Sequence, residues 1–209
     1  MLTTKPVSDQ SLKEESPHSF IFKHGTSMAE IDERVWSSFR SGNRKALDYI
    51  YEKYIRILLT YGLKIVKDQA MVEDCIHDVF VELWRKHEIL GDTDNIKLYL
   101  LKALRRRIAR VTLENNRLPS DALDACSEDI QLDFSAEFYL IQTQSSLEHK
   151  SELKNALSQL SARQHEAVYL KFYEQLTYLE IASMMHLTVK STYKLIGKAL
   201  ESLRNHIRV

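Results

Sequence analysis

The sequence predicts an all-α protein of two small helical domains joined by a flexible acidic linker. Its 209 residues include only 5 glycines and 3 prolines, too few for the many turns of a β-sandwich or barrel. The net charge is zero overall but uneven, at +3 over residues 30–112, −6 over residues 113–150 and +3 over residues 151–209. We therefore expect two mildly basic domains on either side of an acidic segment.

The first domain is predicted over residues 30–112, where apolar residues recur at the three- and four-residue steps of a helix. Residues 1–29 are polar, and we expect them to be disordered. Ser41-Gly42-Asn43 separates the first two helices, and the turn at residues 91–95 ends in side chains suited to cap a helix. The last two helices are predicted over residues 70–88 and 96–112.

The second domain is predicted over residues 151–209, after an acidic linker at 113–150 with a short helix near Phe138–Ile141. Two capping-box patterns mark helix starts in this domain, because a Ser or Thr side chain and an acid or amide three residues later bond to each other's backbone. They are Ser161-Ala-Arg-Gln164 and Thr177-Tyr-Leu-Glu180. A long final helix is expected over residues 189–207.

The strongest functional pattern is a helix–turn–helix in residues 177–207. A short capped helix, a tight turn and a second helix with a polar, basic start are typical of proteins that bind the DNA major groove. Ala182 is expected where the two helices cross. The candidate DNA-contacting residues are Lys190, Ser191, Thr192, Tyr193, Lys194 and Lys198. The alternative is a plain helical hairpin with a solvated basic face.

A basic stripe follows the helix predicted at residues 96–112. Basic residues four apart share one helix face, and a basic face with an aromatic side chain suits a phosphate backbone and an unstacked base. The stripe comprises Tyr99, Lys102, Arg105, Arg106, Arg107 and Arg110. A solvated charged face is the competing interpretation.

An acidic stripe, Asp74, Asp78 and Glu82, follows the helix predicted at residues 70–88. Like charges four residues apart repel each other, so we expect basic neighbours or a basic partner to offset the repulsion within the stripe. Phe80 and Trp84 are candidate interface anchors. Core aromatics beside a solvated acidic face are the alternative, and acid–base or metal chemistry has no other support in the sequence.

Other classes of function find little support in the sequence. It has no glycine-rich phosphate loop, no His and Cys spacing typical of zinc sites and no 18-residue apolar run. Cys75 and Cys126 are far apart, which suits a reduced compartment. We expect a cytoplasmic protein without catalytic residues, metal, cofactor or small-molecule substrate.

Together these patterns resemble an extracytoplasmic-function sigma factor of the sigma-70 family, over about residues 30–112 and 150–207. Residues 73–84 match that family's E-D-x-x-x-D-x-F-x-x-x-W segment, and residues 46–54 resemble the opening helix of its region 2. Residues 96–101 and the arginines after them resemble the segment that opens the minus-10 element. Residues 160–182 resemble region 4, although Gln175 stands where the family usually has Gly.

The resemblance implies a non-enzymatic subunit that directs core RNA polymerase to promoters. The helix of Asp74, Asp78, Phe80, Glu82 and Trp84 would dock on the polymerase. The stripe from Tyr99 to Arg110 would hold the melted minus-10 strand, with Arg106 at a usual Asn position, and the helix from Lys190 to Lys198 would recognise minus-35 duplex. An anti-sigma factor, membrane-bound in many such systems, is an expected partner, and the free chain is expected to be a monomer.

Two other functions remain open at this point. A stand-alone helix–turn–helix regulator would share the C-terminal pattern, but residues 30–112 show no βα alternation of a receiver domain. An enzyme that uses Asp74, Asp78 and Glu82 would be stabilised by its metal and would not respond to polymerase.

Overall fold

The computed structural model describes residues 27–116, 153 and 155–206. Within these ranges the regular structure is helical and contains no strand, which confirms the predicted all-α class. The short helix expected near Phe138–Ile141, most of the acidic linker and residues 1–26 lie outside the described residues.

The N-terminal bundle has four α-helices, two of which extend beyond their predicted bounds. The first starts at Met28 because Ser27 and Glu30 form a capping box, so residues 27–29 belong to the domain and not to the extension. The fourth continues past residue 112 because buried Leu113 extends its apolar stripe. The helices are α1 (Met28–Arg40), α2 (Arg44–Ile65), α3 (Gln69–Arg85) and α4 (Ile96–Asn116), with a 3-10 turn at His87–Ile89.

A buried carboxylate joins three of these helices. Asp32 of α1 is 5% exposed and accepts hydrogen bonds from the Tyr54 hydroxyl and Lys53 Nζ of α2, each at 3.1 Å. Its other oxygen accepts from the backbone N–H of Ile96, the first residue of α4, also at 3.1 Å. Negative charge at a helix N-terminus is favourable, so Asp32 fixes where α4 begins.

Helices α2 and α3 approach closely at Gly62. A Cβ atom at this position would lie 2.4 Å from Val72 Cγ1, which is too close for any real contact. Gly62 is therefore required by the packing, although glycine is a poor helix former.

The C-terminal domain follows the predicted order of elements. Both capping boxes form, at Ser161 with Gln164 and at Thr177 with Glu180. After helical residues 155–158, its elements are α5 (Ala162–Val168), a π-helical turn (Tyr169–Tyr173), α6 (Tyr178–Met184) and α7 (Val189–His206).

The two domains pack against each other, which the sequence did not indicate. One continuous cluster of buried apolar side chains includes Leu58 and Leu104 of the first bundle and Leu170 and Leu176 of the second domain. The rings of Tyr61 and Tyr169 stack across the boundary, with centroids 6.1 Å apart. Apolar and aromatic side chains therefore form part of the contact between the two domains.

Candidate nucleic-acid and polymerase interfaces

The acidic stripe of α3 is partly neutralised by neighbouring cations. Asp78 accepts a hydrogen bond from Arg107 Nη2 of α4 at 2.5 Å, and Glu82 accepts one from Lys86 Nζ at 2.6 Å. The hydrogen bond and charge of Lys86 lower the pKa of Glu82. Asp74 and Glu82 are exposed, and Asp78 is half-buried, so the stripe still presents negative charge to solvent.

The two aromatic residues of α3 that were predicted as interface anchors, Phe80 and Trp84, differ in how deeply they are buried. Phe80 is only 7% exposed and packs edge-on against Tyr51, so it belongs to the core, as the alternative of a core aromatic predicted. Trp84 is half-buried and stacks on His87 at 4.7 Å between centroids. The large apolar side chain that α3 exposes is Val81, at 51%.

The basic stripe of α4 divides into groups with different surroundings. Arg107 bonds Asp78 of α3. Lys102 donates from Nζ to Ser183 Oγ of the C-terminal domain at 2.8 Å, and Arg105, whose side chain is 12% exposed, pairs with Glu166 of the same domain. Arg106 and Arg110 are exposed. One helix thus carries cations that face another helix, another domain and solvent.

The exposed arginines line a cleft of about 340 Å³ between the end of α3 and α4. Tyr99 forms part of its wall, half-buried and 5.0 Å from Trp36 between ring centroids. Burial raises the pKa of the Tyr99 hydroxyl, so it stays protonated and able to donate. The lining comprises Val79, Glu82, Leu83, Lys86, Leu90, Tyr99, Ala103, Arg106, Arg107 and Arg110. Four cations, one acid and an aromatic ring make this cleft suitable for an anionic, planar ligand.

The C-terminal domain presents the start of α7 to solvent. Thr188 begins this helix, accepting a hydrogen bond from the backbone N–H of Ser191 at 3.1 Å. Five of the six predicted DNA-contacting residues are exposed: Lys190, Ser191, Tyr193, Lys194 and Lys198. Tyr193 stacks on Tyr178 of α6 at 3.8 Å between centroids, which holds its ring at the helix surface.

Thr192 does not belong with the other predicted DNA-contacting residues. Its side chain is fully buried, and its hydroxyl donates to the Thr188 backbone oxygen at 3.1 Å. Thr192 faces the inside of the helix–turn–helix because it lies four residues before Ile196 and seven before Ala199, both buried on the inner face of α7. In this conformation it cannot contact a base.

The helix–turn–helix crossing is as tight as predicted. Ala182 is 3% exposed, and its carbonyl accepts from the Leu187 backbone N–H at 2.8 Å. The turn passes through His186, whose φ of 54° is left-handed. Gln175, before α6, also has a left-handed φ of 57°, which suits the glycine that the resemblance places there.

Two sigma-70 family models match the chain. The model for sigma-70 region 2 matches residues 50–117, and the model for sigma-70 region 4 matches residues 150–203. Together they cover more than half of the 209 residues and contain the acidic stripe, the basic stripe and the helix–turn–helix. The chain belongs to the sigma-70 family. It is a sigma factor of the extracytoplasmic-function group and directs transcription initiation at promoters.

Relatives and solved structures support this assignment. The sigma factor is 22% identical over 150 residues to the extracytoplasmic-function sigma factor SigK of Mycobacterium sp. strain JLS, covering 69% of this chain and 75% of the relative. SigK of strain KMS matches equally well. A match to region 2 at residues 50–117 disfavours the stand-alone regulator.

The fold is similar to those of two proteins of known structure. Bartonella quintana RpoE, solved with the anti-sigma factor NepR, has a TM-score of 0.55 and 19% identity, covering 78% of this chain and 96% of that one. CnrH, solved with the cytosolic domain of CnrY, has a TM-score of 0.51 and 17% identity, covering 83% and 95%. These likenesses concern the fold.

Sequence reasoning missed the polar contacts between the two domains of this sigma factor. Glu166 of α5, only 6% exposed, accepts from the Tyr61 hydroxyl at 2.7 Å and from Arg105 Nε at 2.8 Å. Lys97 Nζ donates to the backbone oxygen of Glu174 at 2.6 Å. We call these five residues the interdomain cluster. No pattern in α5 indicated this contact, because Glu166 directly follows the polar residues Arg163, Gln164 and His165.

Two other features, a metal-binding cluster and a membrane-spanning helix, are not found among the residues that the structure describes. Across residues 27–116 and 155–206, no three His, Cys, Asp or Glu side chains are grouped as metal ligands would be. No helix in the part of the chain that the structure describes is long and apolar enough to cross a membrane.

Proposed function

We propose that this sigma factor uses three separate surfaces: α7 for minus-35 duplex, the cleft beside α4 for the melted minus-10 strand, and α3 for core polymerase. The observation that carries the proposal is the cleft, which exposed Arg106 and Arg110 line together with Tyr99. Aromatic rings bind unstacked bases and cations bind phosphates. The protein acts by binding alone, in the cytoplasm.

The minus-35 surface is the outer face of α7. Lys190, Lys194 and Lys198 are exposed and four residues apart, so they form one row along the helix. The major groove, about 12 Å wide, admits a helix, and the first residues of the helix then lie nearest the base edges. Ser191 and Tyr193 are the candidates for base contacts, and the lysines for phosphates.

Replacing one of these lysines tests the groove assignment. We expect Lys194→Ala to weaken binding of minus-35 duplex and to reduce the slope of log affinity against log salt concentration by about 1, because one phosphate contact is lost. Anisotropy titrations at several salt concentrations measure both. Thr192→Val is the matched control: its buried position predicts unchanged affinity. Equal losses in both variants would contradict the assignment.

The polymerase surface is the exposed side of α3. Asp74 and Glu82 supply negative charge, and Val81 supplies an exposed apolar group. Acidic and apolar groups on one face suit a partner with a basic, partly apolar surface. Phe80 supports this face from the core.

A further partner of the sigma factor is an anti-sigma factor. One similar solved structure contains a sigma factor bound to the anti-sigma factor NepR, and the other contains CnrH bound to the cytosolic domain of CnrY. We propose that a protein of this kind, membrane-bound or free, covers the surfaces described above when transcription is not required. The free sigma factor is a monomer in this proposal.

Transcription in vitro tests the whole proposal. Core polymerase with this protein, on a genomic DNA library, should produce new start sites that share two spaced upstream motifs, determined by 5′-end mapping. Asp74→Lys with Glu82→Lys should reduce core binding, while the distant exposed pair Glu33→Lys with Glu52→Lys should not. Duplex binding without any core-dependent initiation would overturn the proposal.

A further inference from the structure

The exposed ring of Tyr193 in α7 is held in place by side chains of two other elements. It stacks on the ring of Tyr178 in α6, with 3.8 Å between centroids and 18° between planes. Lys171 Nζ lies over the same Tyr178 ring, 4.7 Å from its centroid, and donates to the Leu176 backbone oxygen at 3.2 Å. Because a ring at 3.8 Å leaves no room for an ammonium group, the lysine covers the opposite face of Tyr178. A cation and two rings therefore form a stack that ends at the surface of α7.

This stack fixes the direction of the Tyr193 side chain before DNA is bound. Tyr193 remains 55% exposed although Tyr178 covers one face of its ring. An exposed side chain normally loses rotamer freedom on binding, whereas a side chain held by its neighbours has already lost it. The attraction between Lys171 and the Tyr178 ring strengthens the support. The ring of Tyr193 is thus presented to a ligand in one position.

Gly197 lies one helical turn after Tyr193, on the exposed side of α7. A Cβ atom added there would have no neighbour within 4 Å, so the packing of the protein does not require glycine, which is also a poor helix former. A helix with its side chains is about 10–12 Å across, and the major groove is about 12 Å wide. A missing side chain on this side of α7 therefore lets the helix backbone come closer to the bases.

The surface around Tyr193 and Gly197 combines an apolar part with a basic border. Lys194 and Lys198, both exposed, suit phosphates. The ring carbons of Tyr193 and the bare backbone of Gly197 suit an apolar group instead. Among the base edges in the major groove, thymine presents such a group, its C5-methyl.

We propose that Tyr193 and Gly197 select a thymine in the minus-35 duplex: the glycine lets α7 approach, and the fixed ring packs against the thymine methyl group. Tyr178 and Lys171 are positioning residues that act through Tyr193. The inference rests on the proposed minus-35 role of α7 and adds the base that the helix selects. The methyl contact involves no phosphate, so its contribution does not depend on salt, unlike that of the lysines.

Removing single methyl groups tests the contact. Duplexes with the minus-35 motif are prepared with each thymine in turn replaced by deoxyuridine, which lacks only the methyl group, and competition measures their binding to core polymerase carrying this sigma factor. We expect one replacement to weaken binding about fourfold, the effect of one buried methyl group, and to have no effect in Tyr193→Ala. Phe172→Ala removes a ring of similar exposure, 57%, and should keep the discrimination. Absence of a sensitive thymine, or unchanged discrimination in Tyr193→Ala, would overturn the proposal.

Variants of Tyr178 test its positioning role separately from folding. Tyr178→Phe retains the stacked ring and should retain the ratio of thymine to deoxyuridine affinity. Tyr178→Leu removes the ring and should bring this ratio closer to one, in a protein whose helix content by circular dichroism is unchanged. Equal ratios in the two variants would contradict the positioning role.

Gly197→Ala distinguishes a DNA contact from a structural role. The change favours the helix, so urea denaturation should show a more stable protein, while affinity for the minus-35 motif should fall several-fold. Asn205→Ala, at an exposed position near the end of α7, also favours the helix and should leave affinity unchanged. Unchanged affinity in Gly197→Ala would overturn the role of the glycine. If the wild-type protein with core polymerase prefers no upstream motif, the proposed minus-35 role fails, whereas a preferred motif without a sensitive thymine contradicts this inference alone.

Discussion

At the scale of single residues, glycine has opposite roles at two helical positions. A Cβ atom added to Gly62 of α2 would lie 2.4 Å from Val72 Cγ1. A Cβ atom added to Gly197 of α7 would have no neighbouring atom within 4 Å. We expect Gly62→Ala to lower the free energy of unfolding by about 1–3 kcal/mol, because overpacking outweighs the helix preference of alanine. Gly197→Ala should raise it by about 1 kcal/mol. Urea denaturation measures both, and stabilisation by Gly62→Ala would contradict the packing described here.

A buried histidine links stability to pH. Burial lowers the pKa of His165, and the charge of Lys64 lowers it further, against the hydrogen bond between its ring and the Leu157 backbone oxygen. The unfolded chain therefore binds more protons, so the stability from neutral His165 is present above about pH 6.5 and is lost as the pH falls below it.

Replacing this histidine should flatten the pH profile. Between pH 7 and pH 5, the free energy of unfolding should fall less in His165→Gln than in wild type. His206→Gln, at an exposed position near the end of α7, should keep the wild-type profile. Denaturation at four pH values makes the comparison, and parallel wild-type and His165→Gln profiles would contradict the role of burial.

At the scale of elements, the turn before α6 is held in a conformation that glutamine adopts at a cost. Gln175 has a φ of 57°. For a residue with a Cβ atom this left-handed conformation costs about 1–2 kcal/mol, whereas glycine adopts it without that steric penalty. We expect Gln175→Gly to raise the free energy of unfolding by up to about 1 kcal/mol, after the entropy of the unfolded chain is subtracted. Gln159→Gly, in a turn of negative φ, should lower it. Destabilisation by both variants would show that the Gln175 side chain contributes more than its strain costs.

The sequence predicted where helices begin better than which of their side chains are buried. Capping boxes at Ser161 and Thr177 are local patterns, so both helix starts were predictable. The box at Ser27 and Glu30 has the same form but was overlooked in a polar segment. Thr192 was misplaced because a side chain's burial depends on the partner helix, which periodicity over one helix specifies only coarsely.

Contacts between distant parts of the chain were the least predictable. Arg105 counted as one more cation of a stripe, yet the fold pairs it with Glu166, 61 residues later. Such a pairing follows from how two domains dock, and no spacing within either domain encodes it. The family resemblance indicated which helices carry the predicted contact residues. The structure divides the basic stripe into residues that bond to other parts of the protein and residues exposed to solvent.

At the scale of the whole molecule, the shared apolar cluster couples the stabilities of the two domains. Both tryptophans, Trp36 and Trp84, lie in the N-terminal bundle, so their fluorescence reports its unfolding. We expect Leu170→Ala, in the C-terminal domain, to lower the melting temperature seen by tryptophan, because this fully buried leucine belongs to the shared cluster and its truncation costs about 2–5 kcal/mol. Leu203→Ala, in the smaller separate cluster, should shift it less. Equal shifts would contradict coupling through the domain boundary.

The position of Asp32 has a consequence for any shortened version of this protein. The region 2 family match begins at residue 50, and a gene fragment cloned from that boundary would lack α1. The Tyr54 hydroxyl and the first amide of α4 would then lose the carboxylate that accepts from both, and the cavity left by Trp36 and Phe39 would admit water. A shortened chain that keeps the N-terminal bundle intact must therefore begin no later than Ser27, the cap of α1.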